Sequence, residues 1–151
     1  MSYAIAEIED AILAALAASA MSAYCRVFET WGGGVEGLIA RRTLLVPACY
    51  VAYGGAYYAD LTGGGQDKRA TFGVIVFARN PRGERAARRG GPGATEVGAY
   101  EMLEDARAAL HGSDLGLNIL SCRAAREEEL DIGANYAAYS LYLEVEWRFE
   151  G

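Results

Sequence analysis

Residues Tyr136 to Phe149, YAAYSLYLEVEWRF, alternate apolar and polar side chains with period two, which predicts a long β-strand. The apolar side chains on one face are Leu141, Leu143, Val145, Trp147 and Phe149. The opposite face carries Tyr142, Glu144, Glu146 and Arg148. One face is therefore expected to be buried and the other largely wet. A strand of this length needs neighbouring strands and a helical cover on its dry face.

The rest of the chain supplies both. Helical spacing of Ile5, Ile8, Ile12, Leu16 and Ala20 predicts an amphipathic helix from Tyr3 to Met21, with Ser2 as its N-cap. A second helix is predicted from Glu96 to His111, capped by Thr95, with a buried stripe of Tyr100, Leu103, Ala106 and Leu110. A short helix between Val35 and Leu45 is a weaker expectation, because that stretch is ambiguous.

Four further strands are expected: Tyr24–Thr30, Pro47–Tyr53, Ala70–Arg79 and Leu117–Arg126. Gly54-Gly55 would stop or bulge the second of these, which is expected to pair with the third as an antiparallel hairpin. The order helix, three strands, helix, two strands predicts an α+β fold. In this fold, two helices pack on one face of a largely antiparallel sheet.

Length and composition fit one domain over residues 1–151: 52% of residues are hydrophobic and 23% charged. The net charge of -6 argues against a protein whose whole surface binds nucleic acid. Cys25, Cys49 and Cys122 have no CxxC spacing and are interpreted as reduced core residues of a cytosolic protein. No apolar run is long enough to predict a membrane span, and the acidic start of the first apolar segment argues against a secretory signal.

Residues 80–93 form the most unusual segment, with two prolines and four glycines. This composition predicts an exposed, mobile basic loop with no packed element. With Arg79 directly before it, the segment has five arginines against the single acid Glu84, so the net charge is +4 over residues 79–93 and -10 elsewhere; the arginines are Arg79, Arg82, Arg85, Arg88 and Arg89. The loop is either a solvated insertion or an interaction loop that meets nucleic-acid phosphates or an acidic neighbouring subunit.

No catalytic constellation emerges from the sequence, which indicates that the protein is not an enzyme and has no catalytic, cofactor-binding or metal-binding residues. The single histidine, His111, is placed as a capping cation at a helix end. Gly63-Gly64-Gly65-Gln66-Asp67-Lys68 lacks the frame of a phosphate loop, and no cofactor is implied. The acidic clusters around Glu101 and Glu127 have the spacing of solvated faces, with a divalent cation as the alternative.

The chain is rich in tyrosine, and the residues on or near the predicted hairpin are Tyr50, Tyr53, Tyr57 and Tyr58. Tyrosine combines a large apolar ring with a polar end, so these side chains are candidate interface aromatics as well as candidate core residues. A deep cavity lined by Tyr50, Tyr53 and the helices would instead favour a small-molecule-binding domain.

Three stretches carry a resemblance to a known family: Ile8-Glu9-Asp10-Ala11-Ile12, Pro47 to Ala56 (PACYVAYGGA), and Gly98 to Arg107 (GAYEMLEDAR) running into Leu110-His111-Gly112 and Leu115-Gly116-Leu117. They resemble the Mu-like prophage tail proteins, a family that is similar in turn to the tail terminator proteins of tailed bacteriophages. The resemblance covers nearly the whole chain.

The resemblance implies a tail-terminator-like domain that assembles with itself into a ring, commonly a hexamer, on the end of the tail tube. The implied partners are the tail tube protein and the head-tail connector, with a DNA contact through the basic loop left open. The implied location is the virion tail, after assembly in the bacterial host cytoplasm. The alternative, at another structural position, is a different neck or tail-completion subunit.

Overall fold

A computed structural model of the protein describes residues 2–31, 45–93, 96–133 and 135–149. Within these ranges the strands are β1 (Val27–Thr30), β2 (Ala48–Asp60), β3 (Gln66–Arg79), β4 (Ser121–Leu130) and β5 (Tyr136–Phe149). The α-helices are α1 (Ile5–Ala17), α2 (Glu84–Arg89) and α3 (Ala99–Leu110), and a 3₁₀ turn (Ala20–Ala23) follows α1.

The strands form one sheet in the order β1-β2-β3-β5-β4. All neighbours are antiparallel except β1 and β2, which run parallel. β5 has the predicted bounds and pairs along its full length with β3, from Tyr136 opposite Arg79 to Phe149 opposite Gln66. The predicted α+β fold with a largely antiparallel sheet is therefore confirmed.

The helices cover one face of this sheet, as predicted. β5 contributes Leu141, Leu143, Val145 and Trp147 to the core, each at most 1% exposed. α1 adds Ile8, Ile12 and Leu16 to the same core, and α3 adds Ala99, Met102, Leu103, Ala106 and Leu110. Two predicted stripe positions are wrong, because Tyr100 is 44% exposed and Ala20 is exposed, while the neighbouring Met102 and Met21 are buried.

The opposite face is charged at one end and apolar at the other. Its charges form ion pairs between directly opposite residues of adjacent strands, such as Arg69 with Glu146 at 2.9 Å and Arg148 with Asp67 at 2.8 Å. Arg123 and Glu144 form a third pair of this kind. The apolar end holds a second cluster built on Ala48, Tyr50, Phe77 and Ala138. The prediction of a largely wet face is thus correct for only part of the sheet.

Several predicted boundaries differ from the structure. The N-cap of α1 is Ala4, not Ser2, because the Glu7 side chain accepts a hydrogen bond from the Ala4 backbone N–H. β1 is shorter than predicted because the chain is still in the 3₁₀ turn region before it, and β4 runs from Ser121 to Leu130 instead of from Leu117 to Arg126. β4 is an edge strand, so its exposed Glu127, Glu128 and Glu129 remain solvated within it.

β2 continues through Gly54-Gly55 to Asp60, with a shift in pairing register between Tyr53 and Ala56. The glycine pair is therefore a bulge and not a stop, and Gly55 has the positive φ of 103° that glycine adopts readily. The short helix predicted at Val35–Leu45 falls, apart from Leu45, outside the described residues, as does the predicted cap Thr95.

All three cysteines are free, and Cys49 and Cys122 are buried as predicted. Burial raises the pKa of the Cys122 thiol to about 11, so the reactive thiolate is scarce at neutral pH.

Candidate interaction surfaces

The basic segment contains a packed element, which corrects the prediction for residues 80–93. Glu84 to Arg89 form α2, and Ala87 points into the core with 1% exposure. α2 lies on the same layer as α3 and packs over the ends of β3 and β5. A six-residue helix is marginal by itself, so its stability here comes from tertiary contacts that the local sequence does not reveal.

Glu96 closes the segment by joining both of its ends. Its Oε1 accepts a hydrogen bond from the Asn80 side-chain amide at 3.2 Å, and its Oε2 accepts one from the Gly93 backbone N–H at 2.8 Å. The Arg82 guanidinium lies 3.8 Å from the same carboxylate. The hydrogen bond from Gly93, followed by that from Asn80, lowers the pKa of Glu96.

This pKa shift predicts a pH-dependent closure. A carboxyl whose pKa is lowered in the folded state stabilises it above the unfolded pKa, and that contribution is lost as the pH falls through the folded pKa. We expect the protection of the Gly93 amide, its exchange with solvent deuterium relative to an unstructured chain at the same pH, to fall as the solution is acidified through that range. Glu96→Gln should show low protection at neutral pH with no further acid-dependent fall; full protection in this variant would contradict the role of the carboxylate.

Arg88 anchors α2 to the edge of the sheet. Its guanidinium lies 2.8 Å from the Glu84 carboxylate and 3.2 Å from that of Glu129 on β4. The Tyr139 hydroxyl donates to the same Glu129 carboxylate at 3.2 Å. Burial, with hydrogen bonds to Tyr100 and Glu129, raises the pKa of Tyr139 to about 12, which keeps its hydroxyl a donor.

The other arginines of the segment differ in how they are engaged. Arg85 and Arg89 are exposed, stand one helical turn apart, and make no ion pair with any residue that the structure describes. The Arg79 guanidinium lies 5.7 Å from the centre of the Tyr136 ring. The five candidate arginines are therefore not equivalent: Arg88 is a structural anchor, and Arg85 with Arg89 form an outward face, which we call the α2 arginine face.

The four candidate tyrosines do not form one surface. Tyr50 is 8% exposed and packs on the apolar cluster of the charged face, with its ring centre 5.8 Å from that of Phe77 and 5.2 Å from that of Trp31. Tyr53 lies on the helix-covered face, 5.5 Å from Phe72. Because Tyr50 and Tyr53 point to opposite faces of β2, they do not line a common cavity, which counts against the small-molecule hypothesis.

Tyr57 and Tyr58 follow the bulge and lie on opposite faces of β2, opposite Arg69 and Lys68 respectively. Tyr57 is 82% exposed, the most accessible of the four candidates. It borders an open cleft on the charged face whose other lining includes Gly54, Thr71, Arg126 and Tyr142. Tyr57 thus remains the best supported interface aromatic of the set.

Lys68 is a residue that the sequence reasoning missed. It is the chain's only lysine, yet it is only 4% exposed. Its ammonium lies 5.1 Å, 5.5 Å and 5.3 Å from the ring centres of Tyr58, Trp147 and Phe149. Cation–π attraction to three rings offsets part of the cost of burying the charge. The sequence offered one signal for this burial. Lys68 is an isolated lysine between apolar stretches, and these pair with strands that carry aromatic side chains.

His111 is at the C-terminal end of α3, where the sequence placed it, but its role differs from a capping cation. Its Nδ1 accepts a hydrogen bond from the Ala124 backbone N–H at 3.1 Å, which joins α3 to β4. Among residues 2–31, 45–93, 96–133 and 135–149, no three His, Cys, Asp or Glu side chains are grouped to hold a metal ion. No helix in those ranges is long and apolar enough to cross a membrane.

Comparison with known proteins identifies the family of the chain. No match was found among curated proteins. The family model described as bacteriophage Mu, Gp37 matches residues 4–149, which span every helix and strand described above. The chain therefore belongs to the bacteriophage Mu Gp37 family and is a phage structural protein related to the tail.

Proposed function

We propose that this protein is a tail terminator: a subunit that forms a ring on the last ring of the tail tube, stops its polymerisation and presents the surface to which the head attaches. The family match over residues 4–149 carries the proposal, because it restricts the role to a phage structural component. The proposed partners are further copies of the chain, six in a closed ring, the tail tube protein and the head-tail connector.

The surface chemistry supports an assembly role. Charges on the exposed sheet face are largely neutralised by cross-strand partners, while α2 presents two unpaired arginines, Arg85 and Arg89, to solvent. Segregated charge of this kind orients docking and raises association rates more than it raises affinity. The exposed Tyr57 adds a ring of the type enriched in the cores of protein interfaces.

The ring is proposed to act in the virion tail, after assembly in the host cytoplasm. A second candidate, another neck or tail-completion subunit, shares the family and the surface features. The two roles differ in what they control: a terminator sets where the tube stops, whereas a neck subunit acts on head attachment alone.

Electron microscopy of tails made with and without this protein separates them. We expect overlong tails without heads when the protein is absent, because tube growth then has no stop. Normal-length tails that lack heads would overturn the terminator role and leave the neck role. Restoring the gene in trans, on a plasmid, is the control that returns both length and head attachment.

A further inference from the structure

Two helices of opposite charge lie over different strands of the sheet. α1 packs against β1 and β2 at one margin and contains Glu7, Glu9 and Asp10 with no basic residue. α2 packs against β3 and β5, and its Arg88 reaches Glu129 on β4 at the other margin. Acidic and basic helices therefore lie on the same layer, the first over β1 and β2 and the second over the ends of β3 and β5, from which Arg88 reaches β4.

Both helices direct unneutralised charge to solvent. Asp10 is exposed and forms no ion pair within the described part of the chain, and Glu7 is engaged only with the backbone of its own helix start. On α2 the free charges are Arg85 and Arg89. By contrast, the exposed sheet face between the margins holds its charges in cross-strand pairs. Each of the two helices therefore offers free charge of one sign to an outside partner.

We infer that the α2 arginine face of one copy docks on the acidic face of α1, formed by Glu7 and Asp10, of a second copy. The two surfaces are different, so the contact is heterologous, and repetition of a heterologous contact generates a closed ring when its rotation permits. This inference rests on the proposed ring and names its interface. DNA is the competing partner for the arginines, but it would leave the acidic margin of α1 unmatched.

α2 is held firmly enough to serve as one side of an interface. Ala87 is buried, Arg88 bridges to β4, and Glu96 ties the flanking residues together. Fixing the helix before docking reduces the ordering entropy that association would otherwise cost. Arg85 and Arg89 are thereby displayed from a defined position.

The test is a charge exchange followed by sedimentation of the full chain. Arg85→Glu with Arg89→Glu makes both helix faces acidic, and Asp10→Arg with Ala14→Arg gives the α1 face two arginines against Glu7, so that both faces then carry an excess of arginine. Ala14 is exposed and one turn from Asp10, so this second pair leaves the Glu7 cap intact. We expect each variant alone to associate about tenfold or more weakly than the unmodified chain, and an equimolar mixture to recover association.

The unmodified chain should also dissociate as salt rises from about 50 to about 300 mM, since exposed charges are screened. Arg107→Glu with Ala108→Glu, two exposed positions of α3, changes the net charge by nearly as much and should leave association unaffected. Association that survives both exchanges, or no association at any concentration, overturns the inference. If the unmodified chain binds duplex DNA and the variant with Arg85→Glu and Arg89→Glu does not, while self-association is unchanged, the inference is overturned in favour of DNA.

The tail-length experiment keeps the two proposals distinguishable. Tails of abnormal length without the protein, together with charge exchanges that leave association unaltered, would keep the terminator and reject this interface. Normal tails together with recovered association in the mixture would keep the interface and reject the terminator.

Discussion

Trp147→Ala is expected to lower the free energy of unfolding by about 3 to 5 kcal/mol, the cost typical of removing a large buried aromatic side chain. Trp147 is 0% exposed and belongs to the main core cluster, opposite Lys68 on β3. Because the free energy of unfolding of a small domain is only about 5 to 15 kcal/mol, this single change should remove a large part of it. Urea unfolding followed by far-ultraviolet circular dichroism measures the loss.

Trp147→Phe is the informative control for this prediction. The indole Nε1 of Trp147 is buried without a hydrogen-bond partner among the described residues. An unsatisfied buried donor costs about 1 to 3 kcal/mol, so phenylalanine removes that cost while it keeps a ring beside the Lys68 ammonium. We expect Trp147→Phe to lose less than half of what Trp147→Ala loses. Equal losses would show that the contacts of the full indole outweigh the desolvated N–H.

The period-two pattern of residues 136–149 was sufficient to predict β5, its buried face and the need for a helical layer. Alternation is informative there because every second side chain meets the same core. The pattern also explains why Leu141, Leu143 and Val145 were assigned correctly without knowledge of their neighbours. Strand pairing in the hairpin followed from the turn at Gly63-Gly64-Gly65 between two β-rich runs.

α2 was missed because its stability is not local. Only Ala87 anchors it to the core, and its braces come from outside the helix: Glu96, which holds the flanking residues, and Glu129 on the distant strand β4. Proline and glycine on both sides favoured a loop, and tertiary contacts overrode that preference. The burial of Lys68 has the same origin, since the three rings around it come from two other strands.

The tyrosines show a different limit of prediction from sequence. Counting by two from Tyr53 places Tyr57 on the same face, but the bulge at Gly54-Gly55 reverses the alternation. The sequence leaves open whether Gly54-Gly55 ends the strand or forms a bulge. It therefore does not predict which tyrosine faces outward. The interface candidates therefore depended on one backbone irregularity, and the structure selects Tyr57 as the most exposed.

Gly98→Ala is expected to release α2 from α3 and, with it, the α2 arginine face. Gly98 is the N-cap of α3, and a Cβ there would overlap the Gly90 backbone nitrogen and lie 2.5 Å from the Arg88 carbonyl oxygen. These are backbone atoms at the end of α2, so no side-chain rotation relieves the clash. Overpacking of this kind costs about 1 to 3 kcal/mol, which here falls on the short helix rather than on the sheet.

Hydrogen exchange across residues 84–89 and sedimentation of the same sample measure the two consequences. We expect faster exchange in α2, unchanged protection in β3 and β5, and self-association weaker by about tenfold, since the arginines lose their fixed position. Gly116→Ala is the matched control: its φ of 70° imposes about 1 to 2 kcal/mol of backbone strain, yet a Cβ there meets no atom within 4 Å. It should lower stability without altering either α2 exchange or association. If Gly98→Ala loosens α2 while association is retained, the second copy does not recognise a fixed α2, and the interface must lie elsewhere on the subunit.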